Sequence, residues 1–508
     1  MAYNHWFVSR QKRRLTDVFP ALLAYSDICE GHAWNIETQL DLEDELAHRD
    51  ITEHGTLRAR RNNQGGGGTR TLFRQMKDLG LVFLEENTRK CRLTIIGDAI
   101  VKGETSFVEA MRLQLQRYQY PSAAAWGDRY GVSHAFRVHP FQFLFRPLME
   151  PSLEGWLSHE ETYGIVIFEA VSDDDETLHR VADHIVRFRN GDRAGFHEDT
   201  RTKTYGDIAN TLFNYISITQ YIDRDIGSMR IRPGKEEEVR AFVTDWTRFI
   251  PNPELEENYL RMFGRGLQTR DLRNFDRDAE RTVRERNEAR IRREYIVLSL
   301  TTPITDITTD IVRAVSERTG VDELTVEHYL VQNFPHGNLT DFFAAYRELA
   351  HMGVRGATDF EIATRDLFRN LFHMRAERVG QIGNTPDVFV ESLENGFCGI
   401  IDNKAYQDGY SISGDHKRRM LDVYIPNYRQ YGETQAPLVF FAYIAGSFGP
   451  NINRQLEEII RDSGVNGSAV PVDLLIDFAQ DYEEHGYTHE DIRRLFSVNR
   501  EARLADVR

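Results

Sequence analysis

The chain has 508 residues, 41% of them hydrophobic and 28% charged, which excludes a disordered chain and is too long for one ordinary core. No apolar run approaches the roughly 18 residues of a membrane-spanning helix, and Cys29, Cys91 and Cys398 form no CxxC pair, which excludes a zinc ribbon and points to a reducing, cytoplasmic compartment. The formal net charge is −16, but residues 1–120 hold 17 Lys/Arg against 16 Asp/Glu, so positive charge gathers at the N-terminal end, where its placement decides whether phosphate can be bound.

Arg10, Lys12, Arg13 and Arg14 precede an apolar stretch at residues 18–25, the layout of a secretion signal. Pro20 interrupts that stretch and no small-residue cleavage site follows, so it reads as a basic arm entering a helix. Residues 58–77 contain six cations and no acid. The first part, RARRNNQGGGG, reads as a flexible loop, and no GK[ST] follows to make it a P-loop. Arg58, Arg60 and Arg61 in it are candidates for DNA phosphate contact. The second part predicts a helix over residues 69–80, with Thr69 as N-cap and Gly80 just past its end. Leu72, Phe73, Met76 and Leu79 make its apolar face. Arg70, Arg74 and Lys77 recur at i, i+4 and i+7 on another face, placed to read guanine edges or clamp phosphates in a DNA groove. LVFLEENTRKCRLTII then reads as a hairpin about a Glu-Asn turn, and helix followed by hairpin is the back half of a winged helix.

Farther along, GIVIFEAV and ETLHRVADHIVRFRN read as helical. A helix at residues 211–222, then a strand, turn and helix over 228–243, predict a second unit of the winged-helix kind. Fifteen of the 24 residues from 270 to 293 are charged with both signs mixed, the pattern of a solvated helical spacer. The last third alternates strands with helices: a helix at residues 359–372, strands in VFVES and FCGIIDNKAY, a helix in DHKRRMLDVYIPNYRQY, and a buried strand in PLVFFAYIAGSF. A helix, a short strand at AVPVD and two further helices close the chain. This alternation predicts an α/β module with helices on the sheet faces.

The chemistry sits in PDVFVESLENGFCGIIDNK. Residues i and i+2 of a strand face the same side, so Asp402 and Lys404 point together, while Asp387 opens the preceding strand. Two carboxylates and the Asn403 carbonyl provide the hard oxygen donors that Mg²⁺ prefers. A metal there would activate water against a phosphodiester, and a lysine would neutralise developing charge. The rival acid-x-Lys, Asp415 to Lys417, follows the polar SISG and lacks a strand, whereas Asp402 ends the apolar run FCGII. No HExxH and no GxSxG occur, so zinc-protease and serine-hydrolase chemistry find no support, and His416, although close to these residues, reads as a bystander in a loop.

At these residues a family resemblance becomes plain. PD followed by IIDNKAYQDGY, the SFGPN turn and the closing pattern of Thr488, Glu490 and Phe496 resemble the cleavage module of FokI-type restriction endonucleases, members of the PD-(D/E)xK superfamily. MKDLGLVFLEENTRKCRLTIIGDAIVKG, RYQYPS and HPFQF resemble the specificity region of AlwI-type enzymes. The resemblance implies a type IIS restriction endonuclease, which recognises a short asymmetric duplex site and cuts at a fixed distance outside it. Carried over, Asp387 and Asp402 are metal ligands and Lys404 the catalytic lysine; Glu361, on the preceding helix, is the candidate for a further acidic ligand. The resemblance also implies a companion DNA methyltransferase and a transient homodimer through the nuclease domain, on the helix after the catalytic strand. There Arg418 and Asp422 stand i, i+4, able to pair across a two-fold axis or simply within the helix.

The expected architecture is therefore α+β and multidomain: an N-terminal, mainly helical winged-helix recognition lobe and a C-terminal α/β nuclease. Its expected divisions are 1–140 and 141–269 for recognition, 270–340 as a charged helical linker, and 341–508 for the nuclease. A strand-specific nicking enzyme, or a DNA-binding protein with a decayed nuclease domain, would share much of this pattern; intact Asp387, Asp402 and Lys404 argue against decay.

Overall fold

The computed structural model describes residues 4–49, 51, 67–122, 135–199, 204–225, 227–244, 248–253, 255–264, 270–273, 275, 283–380, 385–406, 409–432, 434–482 and 484–506. They form two compact units, Met1–Asp223 with Ser228–Glu294, and Arg224–Gly227 with Tyr295–Arg508. The division falls inside the helix Val283–Thr301. The charged run is accordingly not one solvated helix. Its start, residues 270–273, is not helical, with Arg273 on the buried carboxylate of Asp271 at 2.8 Å, and Arg293 on the helix pairs with Asp27. Among the described residues, no helix is long and apolar enough to cross a membrane.

The first unit is mainly helical. Its helix Gly67–Asp78 starts before Thr69, which lies inside it and is buried, so the expected N-cap is displaced. The C-terminal end follows the sequence: Gly80 has φ +68°, its N–H bonds the Lys77 carbonyl at 2.9 Å, and Leu81 N–H bonds that of Met76 at 2.9 Å. This is a Schellman end, where glycine takes the left-handed conformation at least cost. Leu72, Phe73, Met76 and Leu79 are buried as their spacing requires. The polar residues of the same helix are buried for a different purpose. Gln75 exchanges two 2.7 Å bonds with the backbone of Lys12, and Asp78 accepts from Ser9 N–H at 3.1 Å and the Tyr118 hydroxyl at 2.7 Å. They pin the N-terminal arm to the helix.

Strands Val82–Leu84 and Cys91–Leu93 pair antiparallel, Phe83 opposite Arg92, as the predicted hairpin. The buried free thiols of Cys29 and Cys91, distant in sequence, hydrogen-bond to each other in this region. Helix Asp175–Arg189 is capped by Asp174, which accepts from Thr177 N–H at 2.7 Å. Helices Thr204–Ser217 and Glu236–Thr244 flank strand Ser228–Ile231, which pairs with the distant Trp156–Ser158.

The second unit is built on a five-stranded sheet, in the order Asn466–Pro471, Leu438–Ala445, Phe397–Lys404, Val388–Ser392, Arg375–Arg378. The first three strands are parallel and the last two pairings antiparallel. The edge strand was not legible in the sequence, because R-A-E-R carries no apolar alternation and its charges are what an exposed edge tolerates. Alternation along the inner strands divides the core. Val390, Ile401, Phe440 and Ala442 face Tyr346, Phe360, Phe372, Phe478 and Phe496 on one side. Ile400, Phe441 and Tyr443 face Tyr410, Met420, Ile452 and Leu456 on the other. Gly399 stands where a Cβ would come 2.2 Å from the Phe440 ring, so the strand passes there only as glycine. In the closing helix His489–Leu495, Thr488 N–H donates to Asp491 at 2.8 Å, and Phe496 packs edge-on to Phe368 at 5.6 Å.

Candidate active site

The strand Phe397–Lys404 delivers Asp402 and Lys404 to the same side of the sheet, and the Lys404 Nζ lies 2.7 Å from the Asp402 carboxylate. Asp387 immediately precedes strand Val388–Ser392. Its carbonyl accepts from Val379 N–H at 3.0 Å, which ties it to the edge strand. Its carboxylate accepts from the Asn403 backbone N–H at 2.7 Å and lies within hydrogen-bonding reach of Asp402. The three residues singled out by spacing therefore converge. Asp402 is only 3% exposed, so this is an interior arrangement.

Its electrostatics follow from burial. Burial and the neighbouring Asp402 carboxylate push the Asp387 pKa well above the ordinary aspartate value. Burial opposes the Lys404 ammonium, but the carboxylates of Asp402 and Asp387 outweigh it and hold the lysine above its usual value. Aromatic groups enclose the lysine. The Tyr410 ring lies 5.9 Å beneath Lys404 Nζ, its hydroxyl bonds His416 Nδ1 at 2.8 Å, and Tyr443 stands beside Asp402 in the parallel register. Spacing did not find these aromatics, although Tyr410 belongs to the KAYQDGY motif. His416 stands on helix Gly414–Arg419 rather than in a loop, and burial and Lys404 lower its pKa.

Glu361, on helix Ala357–Asp366, binds Arg378 at 2.8 Å and adds to the field raising Asp387. Among the described residues, no group of three or more His, Cys, Asp or Glu side chains holds a metal ion unaided. The donors present nevertheless fit a hard divalent cation. They are oxygens, and a cation between the two carboxylates would offset the burial and the Asp402 charge that raise Asp387. Backbone and water oxygens would complete its shell.

The other expected residues are less simply placed. Arg58, Arg60 and Arg61 lie outside the described residues. The common cationic face of the Gly67–Asp78 helix does not form as expected. Arg70 is exposed, whereas Arg74 lies 5.0 Å over the Phe7 ring and Lys77 is held by Glu256 at 2.8 Å. The rival Asp415 is drawn into ion pairs with Arg418 and Arg419, at 2.6 and 2.8 Å. Past Arg419 the helix widens into a π-turn over Met420–Tyr424, and no Arg418–Asp422 ion pair forms among the described residues. Arg418 and Asp422 are both exposed.

Residues 320–503 match the family described as FokI, cleavage domain. The type II restriction enzyme StsI of Streptococcus sanguinis is 25% identical over 149 residues, 27% of this chain and 24% of the relative, so the aligned part spans about a quarter of that protein. Among solved structures, restriction endonuclease FokI aligns over 86% of this chain and 83% of its own at 13% identity, with a TM-score of 0.31. The BpuJ1 endonuclease binding domain, in complex with pyrene- and phenanthrene-modified DNA, aligns over 51% and 96% at 12% identity, with a TM-score of 0.38.

The acidic pair has a measurable cost. Because the Asp387 pKa is raised in the folded state, its contribution to stability is complete below the unfolded value of about 3.9 and is lost as pH rises through the raised folded value. Asp387→Asn should therefore melt above the unsubstituted protein at pH 8 in EDTA. The gap should be about 2–4 °C for each kcal/mol of burial and repulsion cost removed and should narrow at pH 5. Calorimetric melting curves that coincide at both pH values would rule out a raised Asp387 pKa.

Proposed function

We propose that this chain is a Mg²⁺-dependent DNA endonuclease of the type IIS restriction kind, cutting phosphodiester bonds with Asp387, Asp402 and Lys404. The observation that carries this reading is the convergence of Asp387 on buried Asp402 and on Lys404 at the end of strand Phe397–Lys404, within the segment similar to FokI cleavage domains. Asp387, Asp402 and the Asn403 carbonyl, with Glu361 as a further candidate, would hold the Mg²⁺, whose chemistry is neutralisation of phosphate charge and acidification of water. Lys404, kept charged by the two carboxylates, orients the attacking water or neutralises charge that develops on the phosphate. Tyr410 beneath it restricts where the ammonium can go.

Asp402→Asn or Lys404→Ala should lower cleavage at least about 100-fold, the scale of losing one electrostatic stabiliser, and leave specific binding in Ca²⁺ intact. Sequencing the ends produced with Mg²⁺ reads the outcome. Double-strand ends at one offset from a short motif support type IIS cutting, and single-strand breaks support the nicking alternative. Undiminished cleavage by Asp402→Asn sinks the site.

Recognition falls to the first unit in this reading, with the Gly67–Asp78 helix and its hairpin as part of a winged helix and duplex DNA as the partner. A companion methyltransferase would protect the cognate site. Arg70, exposed on that helix, and Arg74 are the candidates for base contact; Arg58, Arg60 and Arg61 are the candidates for phosphate contact. Arg70→Ala should weaken cognate binding by about 1–3 kcal/mol and relax one or two base positions. Arg60→Ala should weaken all sequences and flatten the salt dependence, and Lys77→Ala, already paired to Glu256, should change binding least. Anisotropy titrations showing equal losses on cognate and random duplex for every variant would contradict this assignment.

One acidic cluster hydrolyses one strand, so cutting both requires two nuclease units, and exposed Arg418 and Asp422 are the proposed contact. Arg418→Asp and Asp422→Arg should each abolish double-strand cutting, and mixing the two proteins should restore it. Full activity of both singly, at rates linear in enzyme, would exclude the dimer.

A further inference from the structure

Between Asp402 and Lys404, strand alternation turns Asn403 to the opposite side of the sheet, into the aromatic core. Its register partner is Ile444, and its strand neighbour on that side is Ile401. An apolar side chain would satisfy the packing there. Asparagine instead buries an amide whose Oδ1 has no hydrogen-bond partner among the described residues. A buried polar group kept at that cost needs a reason.

The other end of the amide supplies one. Asn403 Nδ2 donates to Thr364 Oγ1 at 2.6 Å, and the Thr364 hydroxyl in turn meets the Tyr346 hydroxyl at 2.7 Å. Thr364 and Tyr346 are wholly buried, the tyrosine ring stacked on Phe342 at 5.8 Å and tilted against Phe360 at 5.1 Å. Thr364 stands one turn beyond Glu361 on helix Ala357–Asp366, so that helix grips the sheet twice, through Glu361–Arg378 and through Thr364–Asn403. The backbone N–H of the same Asn403 holds the Asp387 carboxylate at 2.7 Å. A side chain anchored on one face thus fixes a peptide unit whose N–H orients an acid on the other.

We propose that Thr364, backed by Tyr346, is a positioning residue for Asp387, acting through the Asn403 amide and peptide. The proposal rests on the reading of Asp387 as a metal ligand. A hydroxyl that only satisfies a buried amide would affect stability alone. One that sets the acid's position affects metal affinity and turnover while DNA binding stands.

Full-length Thr364→Val, Thr364→Ser and Tyr346→Phe proteins separate these roles through three measurements. They are Mn²⁺ affinity by electron paramagnetic resonance of the free ion, single-turnover cleavage at saturating DNA, and melting temperature. Thr364→Val should bind Mn²⁺ more weakly and cleave more slowly, each by about 10- to 100-fold, the scale seen when a partner behind a metal ligand is lost. Its DNA affinity in Ca²⁺ should be unchanged, and Thr364→Ser should recover most of both losses. Tyr346→Phe, which keeps the ring and is the milder substitution, should lose less in the same direction. Mn²⁺ affinity and cleavage at unsubstituted levels in Thr364→Val, whatever its melting temperature, overturn the proposal. So does damage in Thr364→Ser equal to that in Thr364→Val. Should Thr364→Val not fold, unaltered Mn²⁺ binding and cleavage by Tyr346→Phe overturn it instead. If the unsubstituted protein cuts no DNA, the endonuclease reading fails, and the Mn²⁺ isotherms still decide the role of Thr364.

Discussion

Two carboxylates held against each other inside a protein repel, and the second unit is organised around making that arrangement tolerable. Asp387 precedes one strand and Asp402 lies on the next, and the Lys404 ammonium is the one cation in direct contact with Asp402 among the described residues. Burial works against the charged forms of Asp387 and Lys404. What keeps Lys404 charged is the pair of acids, and what keeps the acids in place is a backbone N–H and a sheet that cannot yield. Like-charge pairs of this kind lower stability and persist where chemistry needs a waiting charge.

The rigidity comes from the sheet having a packed core on each face. Ile400 and Ile401, like Phe440 and Phe441, are adjacent in sequence and buried on opposite sides. Such a strand moves only if both cores move. The same alternation divides labour at its end: Asp402 and Lys404 face the tyrosines, while Asn403 reaches Thr364 through the opposite core. A site at the end of a doubly packed strand is held more tightly than one on a loop, and this matters because reacting groups misplaced by an ångström lose rate steeply.

The first unit spends its buried polar groups differently. Gln75 and Asp78, on the same helix as the exposed Arg70, are used up holding the arm at Ser9 and Lys12 and the Tyr118 hydroxyl. The helix is therefore fixed on one flank by hydrogen bonds and on another by Leu72, Met76 and Leu79. With Arg74 laid over Phe7 and Lys77 bound to Glu256, the cationic face implied by spacing narrows toward Arg70.

Features that depend on backbone periodicity were legible in the sequence. They include the shared direction of Asp402 and Lys404, the buried stripe of the Gly67–Asp78 helix, its glycine end, and the inner strands of the sheet. Each is set within a few residues, so local spacing is sufficient information. Contacts between distant segments were decided by tertiary structure. Asp387 meeting the Asn403 peptide, Thr364 meeting its side chain and Lys77 meeting Glu256 all depend on which elements pack together, and no local pattern records that. Arg418 is a local exception: it pairs with Asp415 one turn back on its own helix, and Asp422 lies beyond in the π-turn. The sequence determined which side chains face together along one element, because that is geometry of a single chain. The fold decided which of them touch, because that depends on the cores that bring separate elements into contact.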